Sequence, residues 1–584
     1  MKMERMTSRL VLAAAMVMGC PVAAFSAASQ GNPLAFDPAA YTTLNITVDG
    51  APMEVRRYHV VYVARPIKMA ATQPPRGMGP PAGMAPPTGM QPPAGMGPAN
   101  GMNNPGAGGT SLPDPYAYQS MYVYVPKSAY SNSNAAIILQ VSNSGWFTSA
   151  AADRVTEGGK FVSTNDTDNT GAALKAGYVV VSAGTRSRGA KADDGSWAGK
   201  APAVVVDAKA AVRYLRFNDA VMPGSAERIV ITGTSGGGGL SVAVAASGNS
   251  PDYYPYLAEI GAAGMDASGK STLRDDIFAT VAYCPITDLG HADIAYEWQY
   301  NAVRTDTNTA RGQYPEAMQK ASATLAAQYP AYLASLGLKR EDGALLTAAS
   351  MQDAIIAQVK KSAETALSRG ATIPAIGEDF VLESRTGATK LRNDWLTVEN
   401  GKVRTIDYTN YLKFVTSATA LKVVPAFDAT ASTGNKGVIG ENTLFGPADI
   451  EYFNFTEFAW NHNEVKGDAT GADDVGKPWS AYIADPATKL DEQIRMVNPM
   501  PYLNSTADSA PYWYVRHGLV DRDTSFAVEL ALYYGIRNDP SVKDVNFQLA
   551  WLKGHAGNYD VQEAYAWIAG VLAKAGDPNP RAGR

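Results

Sequence analysis

The sequence predicts an α/β fold, a mostly parallel sheet flanked by helices, with a large helical insertion late in the chain. Three observations carry this. Residues 177–183 (GYVVVSA), 228–233 (RIVITG) and 277–286 (IFATVAYCPI) are continuous apolar runs, as expected of strands covered on both faces. Segments with helical spacing separate them, at 204–218 and 237–247. The alternation stops between about residues 290 and 500 and then resumes, with strands at 511–517 and 545–551 and helices at 524–535 and 561–573.

Composition agrees and excludes several classes. The chain has 584 residues, 46% hydrophobic and 18% charged, enough for a large core. A net charge of −5 speaks against a nucleic-acid partner, which usually leaves a basic stripe. No internal stretch approaches the ~18 apolar residues of a membrane span. Five histidines and two cysteines exclude a Cys/His-rich zinc module.

At the N-terminus, Lys2, Arg5 and Arg9 precede an apolar run over 10–18, and Ser26-Ala27-Ala28 is a cleavage site. Residues 1–28 therefore read as an export signal, leading to the periplasm or outside the cell. Val17-Met18-Gly19-Cys20 resembles a lipoprotein processing box, apart from the unusual Met18, so a lipid anchor on the outer membrane stays open. If Cys20 leaves with the signal, Cys284 remains alone and no internal disulfide forms.

The first core segment spans 29–289. It starts with strands at 43–48 and 53–63 and contains a Pro/Gly/Met-rich insert over 70–113, where Gly-Met recurs every six residues. Such a segment builds neither core nor ladder and reads as disordered. The sharper reading, a thioether array for Cu(I), has no Cys or His to support it. Residues 121–126 (MYVYVP) and 135–141 (AAIILQV) look like adjacent strands. Helices are expected over 316–336 and 345–369, inside an inserted lid at 290–500, and residues 430–440 look like a Gly-rich loop. The core closes with 501–584. A domain inserted there overhangs the carboxyl ends of the strands, where open α/β folds bind ligands.

Gly233-Thr234-Ser235-Gly236-Gly237 follows a buried strand and precedes a helix. A G-x-S-x-G in that context is a nucleophile elbow, as in α/β-hydrolases, with the Gly236 amide facing developing negative charge. The other reading is a phosphate-binding glycine turn, but no Walker lysine follows. In such folds the acid and then the histidine follow the nucleophile. Of the five histidines, His555 alone lies after a late strand near the C-terminus, between glycines. The acid loop is His517-Gly518-Leu519-Val520-Asp521, with Asp523 as the rival to Asp521. The second oxyanion amide belongs to the loop around Gly145, which could equally be a plain turn glycine.

With these residues in place, the chain resembles the bacterial tannases, gallate-ester hydrolases of the α/β-hydrolase superfamily. The resemblance is carried by residues 177–184 with Arg186, 199–202 through 215–219, the elbow at Ser235, Pro425-Ala426-Phe427-Asp428, 511–513 through Asp523-Thr524, and His555. It covers most of the chain but not the Pro/Gly/Met insert. It implies a triad of Ser235, Asp521 and His555. It also implies that Lys422, Glu441 and Asp523 grip the three phenolic hydroxyls of a galloyl ring. The segment between Lys422 and Glu441, over 430–439, is longer than the family pattern. The implied activity is hydrolysis of galloyl ester and depside bonds without metal or organic cofactor. The alternatives are a feruloyl or other aromatic esterase, a serine peptidase of the same fold, and a non-catalytic binding protein. Without the resemblance, Lys422 and Glu441 read as a solvated pair on the lid surface.

Overall fold

Ten strands form the main sheet: β1 (Thr42–Val48), β2 (Ala51–Val61), β3 (Ser120–Pro126), β4 (Ile137–Gln140), β5 (Lys160–Phe161), β6 (Val179–Ala183), β7 (Ile229–Thr234), β8 (Ala279–Tyr283), β9 (Tyr512–Gly518) and β10 (Asp544–Ala550). Their spatial order is β10-β9-β8-β7-β4-β6-β3-β2-β1-β5. From β10 to β6 every neighbouring pair is parallel. The pairs β6–β3, β3–β2 and β2–β1 are antiparallel, and β5 joins β1 in parallel. The computed structural model describes residues 32–74, 109–310, 313–384, 387–428, 440–463 and 471–576.

The helices that matter for the site are α1 (Asn169–Lys175), α2 (Ala203–Phe217), α3 (Gly236–Ala246), α4 (Leu289–Tyr300), α5 (Pro315–Ala326), α6 (Ala348–Ser368), α7 (Tyr408–Ala418), α8 (Phe526–Asn538) and α9 (Val561–Ala575). The continuous apolar runs work because strand side chains alternate. Ile137, Leu139, Ile229 and Ile231 enter the core that holds α2 and α3. Ile138, Val230 and Val281 enter the opposite core, with Leu174 of α1 and Ile568 and Val571 of α9. In α9 the buried residues Val561, Ala564, Ile568, Val571 and Leu572 form one stripe at helical spacing.

The strands at 121–126 and 135–141 are not adjacent, because β6 lies between β4 and β3. The connection β4–α1–β6 is a parallel crossover that lays β6 directly on β4. Antiparallel β3 then takes the other edge of β6. The single helix expected over 316–336 is two, α5 and Tyr329–Ser335. Pro330 opens the second; its ring lacks the N–H and crowds the preceding turn, so one helix cannot run through.

The insertion is not purely helical. Two hairpins, Asp379–Ser384 with Gly387–Arg392 and Leu396–Glu399 with Lys402–Ile406, sit between α6 and α7. The insertion is fastened to the sheet at β9 and β10. The Tyr411 hydroxyl of α7 donates to the Leu519 carbonyl, 2.6 Å away in the loop after β9. Ser362 of α6 donates to the Leu549 carbonyl of β10 at 2.7 Å.

Order also reaches further into the Pro/Gly/Met insert than the 70–113 boundary. Thr72–Gln73 pairs with Thr110–Ser111, and Gln73 is buried against the Lys191 backbone. The Gly-Met repeat within 75–108 and residues 1–28, read as an export signal, lie outside the described residues. Among the described residues, no helix is long and apolar enough to cross a membrane.

Candidate active site

β7 delivers Ser235. The strand ends at Thr234 and α3 begins at Gly236, leaving Ser235 in the turn with φ 60° and ψ −125°. A positive φ is uncommon outside glycine, and it turns this side chain out at the carboxyl edge of the sheet. The neighbouring glycines are required by contact. A Cβ on Gly233 would lie 2.2 Å from the Gly237 carbonyl oxygen. One on Gly236 would lie 2.2 Å from the Trp146 amide nitrogen and 2.4 Å from the Asn143 oxygen. The loop after β4 is thus pressed against the start of α3.

That loop turns tightly at Gly145, whose φ is 58°. The Trp146 amide is engaged, donating to the Asn143 carbonyl at 2.8 Å. Asn143 is itself fixed by a bond to Thr185. Gly236 is the first residue of α3, so its amide has no acceptor within the helix. Gly145 and Gly236 therefore lie on two backbone segments in contact beside Ser235.

His555 follows β10. Its Nε2 is 2.8 Å from Ser235 Oγ and its Nδ1 is 2.8 Å from Asp521 Oδ2. Asp523 Oδ2 stands 3.8 Å from the same Nδ1, so of the two aspartates Asp521 makes the bond. Asp521 is fully buried and also accepts the Asp523 amide at 2.8 Å. Burial would push its carboxyl up, but the charges of His517 and His555 and hydrogen bonds from His555 and Cys284 hold it well below the carboxylate range. Burial would push His555 down; the charge and hydrogen bond of Asp521, helped by Asp523, leave it above the ordinary 6.5. Lys422 opposes that rise.

This sets a pH dependence. A general base must be neutral, so if His555 serves as one, activity is expected to fall as pH drops through its raised pKa. On a p-nitrophenyl ester without phenolic hydroxyls, the acidic limb of kcat/KM is expected above 6.5. A pH–rate profile with its limb below that value would contradict the coupling to Asp521.

His517 and Glu529 are supporting residues that sequence reasoning did not find. Both are fully buried behind Asp521. His517 Nδ1 lies 3.7 Å from Asp521 Oδ2 and 3.6 Å from Glu529 Oε1. Burial and the Asp521 charge push Glu529 well up, and burial pushes His517 down. The only sequence signal was the histidine of H-G-x-x-D. Glu529 looks like any charged residue in an apolar helix.

Lys422 and Glu441 come from the insertion and meet at Phe427. The Lys422 ammonium lies 4.1 Å from the centre of the Phe427 ring, and the Glu441 amide donates to the Phe427 carbonyl at 2.9 Å. Asp293 of α4 holds this turn, its carboxylate accepting the amides of Ala426, Phe427 and Asp428 at 2.7, 2.8 and 3.0 Å. The Glu441 carboxylate is buried 3.5 Å from Arg188, which also donates to the Gly440 carbonyl at 2.7 Å. Lys200 ties down the segment beyond, donating to the carbonyls of Thr443, Phe445 and Glu451. Burial pushes Lys200 down to about 7. Asp523 pairs with Arg522. Asp523 stands beside the His555 imidazole, and the Lys422 charge acts on that same ring in the opposite sense. Asp293 and Arg188 carry no motif of their own and become visible only in three dimensions. Residues 430–439, the long segment before Glu441, lie outside the described residues.

His59, His291 and His462 stack on Tyr122, Tyr332 and Phe458. Among the described residues, two clusters of donor atoms have metal-like spacing, Cys284–His517–Asp521 and Asp521–Asp523–His555. Both depend on Asp521, whose oxygens are already bonded to His555 and the Asp523 amide. Chemically, the site offers a hydroxyl beside an imidazole backed by a carboxylate, with an ammonium and two further carboxylates nearby.

A family model described as BD-FAE matches residues 121–332. Among solved structures, a tannin acyl hydrolase in complex with ethyl gallate is 31% identical over 93% of this chain and 100% of its own, with a TM-score of 0.69. The Fusobacterium nucleatum tannase is 31% identical over 92% and 99%, with a TM-score of 0.68. The native Lactobacillus plantarum tannin acyl hydrolase is 30% identical over 93% and 100%, also with a TM-score of 0.68. Among curated sequences no relative matches.

Proposed function

The chain belongs to the tannase family of ester hydrolases, and from that premise we propose that it cleaves galloyl esters and depsides through Ser235, His555 and Asp521. Ser235 Oγ attacks the galloyl carbonyl carbon while its proton passes to His555 Nε2. Asp521 fixes the tautomer and stabilises the imidazolium. The oxyanion rests on the Gly236 amide and on one near Gly145. The bond to the leaving alcohol breaks, and the alcohol oxygen takes the proton from His555. Water then attacks the galloyl-Ser235 ester with His555 again as base, releasing gallic acid and restoring the serine. These steps use neither a metal nor an organic cofactor.

The substrate assignment rests on one observation. Lys422 and Asp523 both act on His555, while Lys422 and Glu441 share Phe427. Carboxylates accept from phenolic hydroxyls and an ammonium donates to a phenol oxygen. Three such groups suit a ring with three adjacent hydroxyls. A site built this way rejects analogues lacking them by up to about 10⁴-fold, because its polar groups are left unpaired. The export signal at 1–28 extends the proposal by placing the activity outside the cytoplasm.

The test is hydrolysis of methyl gallate, methyl ferulate and methyl benzoate, with Ser235→Ala as control. The expected result is a preference for gallate by several orders of magnitude that the variant loses. Comparable rates on all three esters would retain the esterase and remove the gallate assignment. A preference for ferulate would shift the acyl group to hydroxycinnamates.

A further inference from the structure

A cavity reaches Ser235. It has a volume of about 380 Å³ and is walled by the loop after β4, the residues before and at the start of α1, the elbow, and Asn558 beyond His555. Lys422, Glu441 and Asp523 do not line it. Sheet order sets Asp523 apart from it. Asp521 and Asp523 follow β9, which lies on the β8 side of β7, whereas the cavity wall follows β4 on the other side of β7. An ester on Ser235 carries its acyl and alkoxy groups on opposite sides of the reacting carbon. With the galloyl ring held by Lys422, Glu441 and Asp523, the leaving alcohol is directed to the β4 side.

The lining is polar and carries two charged side chains, Arg154 and Asp168. The Arg154 guanidinium donates to Ser142 Oγ at 2.5 Å. Among the described residues it has no carboxylate partner within 4.0 Å. The neighbouring Asp153 is occupied by Arg57 at 2.5 Å and by the Tyr124 hydroxyl at 2.8 Å. The cavity's carboxylate, Asp168, turns its two oxygens to the Gly171 and Val162 amides, at 2.7 and 3.0 Å. The cavity therefore presents a cation whose charge is not matched by an ion pair. A guanidinium fork matches a carboxylate better than it matches a neutral hydroxyl.

We propose that this cavity is the leaving-group subsite and that Arg154 selects leaving alcohols or phenols that carry a carboxylate. The galloyl ester of a hydroxy-acid, a depside whose second ring bears a free acid, is the matching chemical class. The inference rests on the galloyl-esterase reading above, which fixes the side on which the acyl group sits.

The experiment compares galloylgallic acid with its methyl ester, which differs only in the charge at the far carboxyl. Wild-type enzyme is expected to favour the free acid in kcat/KM by about tenfold at neutral pH, the scale of one charge-assisted hydrogen bond in a solvent-open site. In Arg154→Gln the ratio is expected to fall to near one, and Arg154→Lys to restore part of it. Added salt should narrow the wild-type ratio. Using the ratio within each variant cancels any general loss of activity or folding. A wild-type ratio of one or less, or a ratio unchanged in Arg154→Gln, overturns the subsite. Wild-type turnover of methyl gallate, whose leaving group has no carboxylate, reports the underlying esterase reading separately.

Discussion

Asp521→Asn is expected to lower kcat on methyl gallate by about 10⁴-fold, with KM little changed. The argument is one of tautomers. Asp521 Oδ2 accepts from His555 Nδ1 at 2.8 Å, leaving Nε2 with a lone pair turned to Ser235 Oγ. An amide in that position can present its NH₂ to Nδ1, which drives the proton to Nε2 and removes the base. The fold should survive, because the asparagine oxygen can still accept the Asp523 amide. Circular dichroism and a thermal melt would verify folding, and steady-state kinetics the loss. If Asp521→Asn kept a tenth of the activity while Asp523→Asn lost far more, the orienting role would pass to Asp523.

The sequence exposed this part of the site for a physical reason. Ser235, Asp521 and His555 each follow a strand of the central sheet, and strand ends are fixed by apolar runs that can be read one residue at a time. The same runs located β4 and β6 but not their neighbours, because pairing depends on where α1 carries the chain and not on the strands themselves. Lys422 and Glu441 are a different case. They stand on the insertion, and spacing alone gave them no role; only the resemblance singled them out. What holds them, Asp293 across from the 426–428 amides and Arg188 across from Gly440, is separated in sequence by more than a hundred residues. His517 was legible as part of a motif, but its place between Asp521 and Glu529 required α8 to be packed on β9. The hairpins at 379–392 and 396–406 escaped because their strands are only four to six residues long and resemble loop between two helices.

Lys422→Met carries the second large effect, and it separates two roles of one side chain. If the ammonium donates to a galloyl hydroxyl, its removal leaves that oxygen without a partner. A hydrogen bond to a charged group is worth about 1.5–3 kcal/mol, so kcat/KM on methyl gallate should fall by about ten- to 150-fold. Methyl benzoate, which lacks the hydroxyls, should lose little above the acidic limb. Combining the change with Glu441→Gln should bring gallate close to benzoate, the two contributions not being strictly additive because both groups meet at Phe427. The same substitution has a second consequence of fixed sign. Lys422 lowers the pKa of His555, so removing it raises that pKa and moves the acidic limb to higher pH. Asp523 raises it, so Asp523→Asn moves the limb to lower pH. Opposite displacements of the limb on a p-nitrophenyl ester, with a loss on gallate in both variants, would place both groups around the imidazole and on the ring. Displacements of the same sign would mean that the site does not hold them as described, and an undiminished rate on gallate would return Lys422 to the surface of the insertion.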